Sequence, residues 1–264
     1  MPALDSEFSE HDLQRLRENR NVGSLHFKSQ MESTSDCCRQ MLSESVLSSE
    51  AFPLLVLTEL QTQGRGQLDR TWWAEKGSLT FTWARRRESP QTGITSLAVA
   101  KSVAESIEAM APSLTANIKW PNDVFVSGKK VAGILIESIF VHGQHIEMIG
   151  IGVNVNNSVT SAPSELSATL TSLIDQLEKP VDLTSLLETI LEKLIESLGM
   201  TQPAQTLESC VQRSIFPTGS PITVSTPQGE LAGTFLGFGP DGQLQLLIDG
   251  TSQLISSGRI TSTH

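Results

Sequence analysis

The chain has 264 residues, a hydrophobic fraction of 38% and a formal net charge of −10. That length and apolar content allow one large domain, or a medium domain followed by a small one. The acidic balance argues against nucleic-acid binding through the overall field, and leaves room for a local basic pocket. No apolar run is long enough to span a bilayer, and the N-terminus lacks the apolar core of a secretory signal. The three cysteines, Cys37, Cys38 and Cys210, form neither a disulfide framework nor a metal-binding spacing, and read as free thiols in a reducing cytoplasm.

In chain order, residues 1–21 are polar and charged, with a short helix predicted from Asp12 to Asn19 and Leu13 and Leu16 on one side. Val22 to Phe27 reads as the first strand. Ser33 or Thr34 then caps a helix over roughly residues 35–48, with Cys38, Met41, Leu42 and Val46 near one face. Leu54–Thr58 is a buried-type strand and Ser78–Trp83 an alternating one.

Between these two strands lies Gly64-Arg65-Gly66-Gln67-Leu68-Asp69-Arg70-Thr71-Trp72. Glycines on both sides of an arginine let the backbone take positive φ and approach a ligand closely. Arginine offers a planar fork of donors to carboxylate or phosphate. No Gly-Lys-Ser/Thr closes the segment, so it is not a Walker loop, and a strand rather than a helix follows, unlike a dinucleotide fingerprint. Residues 85–93, beginning with three arginines, read as a solvated loop. Thr95–Ala111 is a helix by its apolar spacing, ended by Pro112.

Ala116–Trp120 is a strand running into Pro121, which holds Trp120 extended. Asp123–Val126 and Lys130–Ile139 form a hairpin about Ser127-Gly128, and a turn at His142-Gly143 leads to a strand from His145 to Ile151. Helices are predicted at 168–177, at Leu183–Leu198 with a stripe that includes Ile195, and at about 203–213. Beyond Pro217, turns at Pro227–Gly229, Gly239–Gly242 and Asp249-Gly250 separate five short strands, the pattern of a small β-barrel. The predicted architecture is α+β: a mixed β-sheet domain flanked by helices over 22–214, then a small barrel over 217–264.

Three segments stand in order: Gly64–Trp72, Lys119-Trp120-Pro121-Asn122-Asp123, and Lys130-Val131-Ala132-Gly133-Ile134-Leu135. Together they resemble the biotin protein ligase family (biotin–[acetyl-CoA-carboxylase] ligase), from about Ser24 to the C-terminus. The resemblance implies a catalytic domain and an SH3-like C-terminal barrel. It also implies two reactions. Biotin's carboxylate attacks the α-phosphate of ATP, giving biotinoyl-AMP, and a lysine of a biotin carboxyl carrier protein domain then displaces AMP. Family members that repress transcription carry an N-terminal helix-turn-helix, and residues 1–21 are too short for one, so no DNA binding is expected. Many relatives pair through a sheet edge, which makes a homodimer an expectation of the family alone.

Carried over residue by residue, Arg65, Lys119 and Lys130 are the catalytic cations. Ser33, Thr34, Ser35, Gln61, Arg65, Gly66, Gln67 and Lys130 meet biotin; Gly64, Arg70, Trp72, Asp123 and Asn154 meet ATP or the adenylate. Mg²⁺ travels mainly on the phosphates. Three positions depart from the family pattern: Ser35 for asparagine, Gln67 for the loop's second arginine, and Asp69 for a glycine. The last two leave a less cationic loop over the activated phosphate. Two other readings use the same scaffold: a lipoate–protein ligase, disfavoured by the Lys-Trp-Pro-Asn-Asp and C-terminal patterns, and a non-catalytic biotin or adenylate sensor, disfavoured by the intact lysines.

Overall fold

The computed structural model describes residues 6–67, 70–87, 93–199 and 203–263. In chain order these form helix α1 (Glu10–Glu18), strand β1 (Ser24–Met31), helix α2 (Thr34–Glu44), strands β2 (Leu54–Gln61) and β3 (Ser78–Arg87), and helix α3 (Ile94–Met110). Strands β4 (Ala116–Lys119), β5 (Asp123–Val126), β6 (Lys129–Val141) and β7 (Gln144–Asn154) follow. Helices α4 (Ser164–Ser167), α5 (Leu173–Leu177), α6 (Leu183–Gly199) and α7 (Pro203–Gln212) come next. Strands β8 (Pro221–Thr226), β9 (Gly229–Phe238), β10 (Leu244–Ile248), β11 (Thr251–Ile255) and β12 (Arg259–Thr263) end the chain. The fold is α+β with a mixed sheet: β1 and β2 are parallel, whereas β2–β3, β3–β7 and β7–β6 are antiparallel. The chain divides into two interleaved compact units, residues 1–91 with 129–192, and residues 92–128 with 193–264.

The first unit is built on the strand order β1-β2-β3-β7-β6. Leu54, Val56, Ala84, Ile146 and Met148 form one core face, and α2 lays Cys38 and Leu42 on it. Ser33 accepts the Asp36 amide proton at 3.2 Å and so caps α2; such a cap stabilises a helix by about 1 kcal/mol. Helix α6 contributes the buried residues Leu186, Leu187, Ile190 and Leu191. The N-terminal segment joins this unit rather than trailing from it. Phe8, Leu13 and Leu16 are buried, Ser9 and Asp12 form a capping box, and the buried Glu59 carboxylate accepts hydrogen bonds from Ser6 Oγ and the Glu7 amide.

In the second unit, α3 and α7 are tied by the Cys210 thiol, which donates to the Leu97 carbonyl at 3.5 Å, and by Arg213 pairing with Glu108 at 2.9 Å. The β4–β5 hairpin sets Lys119 opposite Asp123. The C-terminal strands pair antiparallel in the open order β11-β10-β9-β8-β12. The turn between β9 and β10 reaches the Trp-Pro-Asn-Asp segment, where the Trp120 indole donates to the Gly242 carbonyl at 3.0 Å. Gly242 sits at φ +78°, and a Cβ there would meet the backbone of Gly93 and Ile94 at 2.7 Å, so this turn demands glycine.

Several sequence expectations are corrected. Arg85–Arg87 are not a solvated loop. They complete β3, because Glu147 on β7 is fully buried and binds Arg85 at 2.8 Å and Arg87 at 2.9 Å. Residues 88–92 lie outside the described residues. The helix expected at 168–177 is broken: the segment runs beside Lys130, with Lys130 donating to Thr169 and accepting from Thr171, before α5 begins. Backbone pairing there overrides helix propensity. Helix α2 stops at Glu44, leaving Val46 exposed, and Ile195 also faces solvent, outside the apolar stripe of α6. β4 ends at Lys119, one residue short of Trp120.

Candidate functional site

The described part of the glycine segment is a tight hairpin. Arg65 bridges Thr71, the Gly66 amide donates to the Arg70 carbonyl at 2.7 Å, and the Trp72 amide donates to the Gly64 carbonyl at 2.8 Å. Leu68 and Asp69 lie outside the described residues. Neither Gly64 nor Gly66 has positive φ, so the conformational role expected for this pair is replaced by a steric one. A Cβ on Gly64 would meet the Trp72 carbonyl oxygen at 2.6 Å and the Gln61 amide nitrogen at 2.9 Å, whereas Gly66 meets nothing nearer than 3.4 Å. Gly64 is thus needed for close packing of the hairpin base.

Trp72 folds this hairpin onto β6 and β7. Its indole lies over Gly133 and Gly152; a Cβ on Gly152 would stand 2.6 Å from the indole nitrogen. That nitrogen is buried with no hydrogen-bond partner among the described residues. The Lys130 ammonium lies 5.6 Å from the indole ring centroid, a cation–π distance. The glycines of β6 and β7 therefore form a strip with no side chains, and the aromatic ring and the lysine tail meet there.

Beside this strip is a buried polar cluster. The Gln61 carbonyl oxygen accepts from the Thr34 amide at 2.7 Å and the Thr34 hydroxyl at 3.0 Å. Thr82 donates to Thr34 at 2.9 Å and shares a hydrogen bond with Ser35 at 3.1 Å. Ser33, Thr34, Ser35, Gln61 and Thr82 are all buried. Gln61, the last residue of β2, locks the first turn of α2. Thr82 carries no sequence signal of its own; only the pairing of strand and helix reveals it. The close approach of Ser35 is possible because Gly150 lies beneath it, where a Cβ would come within 2.9 Å of the Ser35 oxygen.

Arg65 is half exposed and engaged by two carboxylates. Its Nη2 lies 2.8 Å from Asp36 and 2.9 Å from Glu137 Oε2, and its Nη1 lies 3.3 Å from Glu137 Oε1. Arg39 also holds Glu137, at 2.7 Å. Sequence reading missed Asp36, Arg39 and Glu137, because 72 residues separate Arg65 from Glu137. Gln67 is half-buried and its carbonyl accepts from the Arg70 amide at 3.4 Å. Asn154 is fully buried and fixes the end of β7, donating to the Thr171 carbonyl and accepting from Asn157. Lys119 and Asp123 belong to the second unit, where the Lys119 ammonium lies 5.5 Å from the Phe125 ring centroid.

The first unit therefore brings together Ser33, Thr34, Ser35, Gln61, Gly64, Arg65, Trp72 and Lys130, a set able to receive an anion beside a neutral hydrogen-bonding group. Two cations in this set, Arg65 and Lys130, suit charge neutralisation more than nucleophilic catalysis. No cysteine is activated: burial pushes the Cys38 and Cys210 thiols up to about 12. Among the described residues no three His, Cys, Asp or Glu side chains cluster as a metal site, and no helix is long and apolar enough to cross a membrane.

Comparison with known proteins points the same way. The model of the biotin/lipoate A/B protein ligase family matches residues 27–156. The chain is 31% identical over 199 residues to the bifunctional ligase/repressor BirA of Bacillus spizizenii, covering 73% of this chain and 61% of that protein. It thus spans about three fifths of the length of that relative. It is 28% identical over 228 residues to the biotin–[acetyl-CoA-carboxylase] ligase of Mycobacterium tuberculosis, covering 83% of each. The structure of a biotin protein ligase from Aquifex aeolicus in complex with biotin and ATP superposes with a TM-score of 0.75 at 26% identity, over 90% of this chain and 97% of that one.

Proposed function

Because residues 27–156 are a domain of the biotin/lipoate A/B protein ligase family, we propose that this chain is an ATP-dependent biotin ligase that acts on a lysine of a biotin carboxyl carrier domain. The observation that carries the reading is the fold of the Arg65 hairpin onto the Gly133–Gly152 strip, which sets Trp72 against Lys130. A relative solved with both biotin and ATP superposes on the chain.

In the first step a biotin carboxylate oxygen bonds to the α-phosphorus and the bond to the β-phosphate bridging oxygen breaks, releasing pyrophosphate. Both reactants are anions, so the barrier falls when fixed cations offset their repulsion and hold them in line. Arg65 and Lys130 do this in the first unit, and the motif assigns Lys119 to the phosphates. Ser33, Thr34, Ser35, Gln61, Gly66 and Gln67 shape the biotin side. Gly64, Arg70, Trp72, Asp123 and Asn154 are assigned to the nucleotide. In the second step the carrier lysine amine attacks the acyl carbon, AMP leaves with the bridging oxygen, and the amine loses a proton. No protein nucleophile takes part. When bound, Mg²⁺ supplies charge neutralisation at the phosphates. It needs few protein carboxylates when phosphate oxygens carry it, which suits a chain whose motif offers Asp123 alone.

We read residues 22–214 as the catalytic segment and residues 217–264 as the family's SH3-like domain, preceded by the polar segment 1–21. The five antiparallel strands β8–β12 support that reading. The decisive assay supplies labelled biotin or labelled lipoate with ATP and a carrier domain. Label from biotin alone is expected on the carrier. Label from lipoate alone would make the chain a lipoate ligase, and binding without transfer would make it a sensor.

A further inference from the structure

We infer that Glu137 is a positioning residue for the reaction: it aims the Arg65 guanidinium, and Asp36 holds the place that a substrate anion takes. The inference rests on the ligase reading for its chemistry and on geometry for its parts. Arg65 sits on a short hairpin and is 39% exposed at its side chain, and among the described residues the carboxylates that hold this long flexible cation, Asp36 and Glu137, lie outside the hairpin. Glu137 projects from β6, is 20% exposed, and grips Arg65 through both of its oxygens, at 2.9 and 3.3 Å. A two-point grip on a planar guanidinium fixes direction as well as distance. Arg39 binds the same carboxylate at 2.7 Å from α2, so Glu137 is braced between a helix and a hairpin.

Asp36 differs in kind. It lies in the first turn of α2, is 51% exposed and reaches Arg65 by one oxygen at 2.8 Å. Asp36 follows directly on Ser33-Thr34-Ser35, the stretch assigned to biotin. An exposed carboxylate on one guanidinium nitrogen is the group that an incoming carboxylate can replace at least cost. Charge agrees with this division. Arg39, Arg65, Glu137 and Asp36 sum to neutrality, and displacing Asp36 leaves one net positive charge for an anion. Substrate binding therefore leaves Glu137 in place and exchanges Asp36.

The test measures pyrophosphate release from biotin and ATP, with trypsin cleavage after Arg65 as a second readout that needs no activity. Glu137→Gln should keep the parent's Tm and lower kcat about ten- to a hundredfold, the effect of losing one charged hydrogen-bonding partner. Glu137→Asp should recover part of the loss. Arg65→Ala with Glu137→Gln should be no slower than Arg65→Ala alone, since a residue that acts through another adds nothing once that one is gone. Asp36→Asn should lower the KM for biotin. Trypsin should cut after Arg65 several-fold faster in Glu137→Gln than in the parent. Additive losses in the double variant, or unchanged kcat in Glu137→Gln, would overturn the assignment. Equal trypsin protection in parent and Glu137→Gln would overturn it even if the parent proves inactive with biotin, an outcome that counts against the ligase reading alone.

Discussion

At the scale of single residues, the proposed site is built where side chains are missing. Gly133 and Gly152 let the Trp72 indole lie directly on the strand backbone, and Lys130 reaches across it. Gly152→Ala places a methyl group 2.6 Å from the indole nitrogen, which no rotamer change on a strand relieves. The indole must leave, and its fluorescence emission should shift to the red, the change vanishing when Trp72→Phe is added. An unshifted spectrum would mean that the ring does not rest on Gly152 in solution. Lys130→Ala removes a cation placed at the strip. Loss of one donor at a site of developing charge costs ~2.7–4 kcal/mol, or about 10²–10³ in rate, so pyrophosphate release should fall by that factor. Parental rates in this variant would remove Lys130 from the mechanism. Lys130 was legible in the sequence because it stands in a dense motif. Glu137 and Thr82 were not, since their meaning comes from partners many residues away and neither changes the local pattern.

Elements were legible where periodicity is strong and local. Helices α3, α6 and α7 and the terminal strands lie within a few residues of their predicted places because the apolar spacing that defines them is also what packs. Arg85–Arg87 and residues 168–177 were misjudged because their conformation answers to a buried carboxylate and to a neighbouring strand start. The N-terminal segment is polar with a short helix in the sequence reading, and α1 bears out that helix with Leu13 and Leu16 buried, but the clamp by Glu59 has no local signal. That clamp has a pH signature. Burial, and then the Glu59 charge, raise the Glu7 carboxyl above its ordinary 4.5, and one of its oxygens is buried with no hydrogen-bond partner among the described residues. A raised acid favours the folded chain fully only below its unfolded value, and that contribution is lost as pH rises through the folded value. Glu7→Gln, neutral throughout, should therefore melt higher than the parent at pH 7.5 and equal it near pH 4. A lower Tm at pH 7.5 would place the Glu7 charge among stabilising groups. The β9–β10 turn carries a separate constraint. Gly242→Val forces a β-branched residue into positive φ against the backbone of residues 93 and 94, a strain of about 1–3 kcal/mol. Tm should drop, and pyrophosphate release with it, because Trp120 leads directly into Asn122 and Asp123. A fall in Tm with an unchanged rate would uncouple this turn from the reaction.

At the scale of the whole molecule, the chain's order does not match its compact units. Three crossings, at 91/92, 128/129 and 192/193, divide it, and α6 runs through the last of them. Sequence patterns are read along the chain, so the linear division at 217 follows turn spacing and family resemblance, whereas the compact units are set by contacts far apart in the chain. Of the residues assigned to the proposed substrates, Lys119 and Asp123 belong to the second unit and the others to the first. A ligand that binds the native chain and not the unfolded one stabilises it by about 2.7 kcal/mol at a hundredfold excess over Kd. For a chain of this size that corresponds to a Tm rise of roughly 5–10 °C. Biotin with a nonhydrolysable ATP analogue should raise the melting of the full chain by that amount, in one transition. Biotin alone should give a smaller rise, and lipoate none. Lys130→Ala should abolish most of the joint effect while leaving the unliganded Tm near that of the parent, because the lysine is half exposed and its loss opens no cavity. Two separate melts, with only one of them moving, would mean that the ligand engages a single unit, and the assignment of Lys119 and Asp123 to the same substrate would then fall.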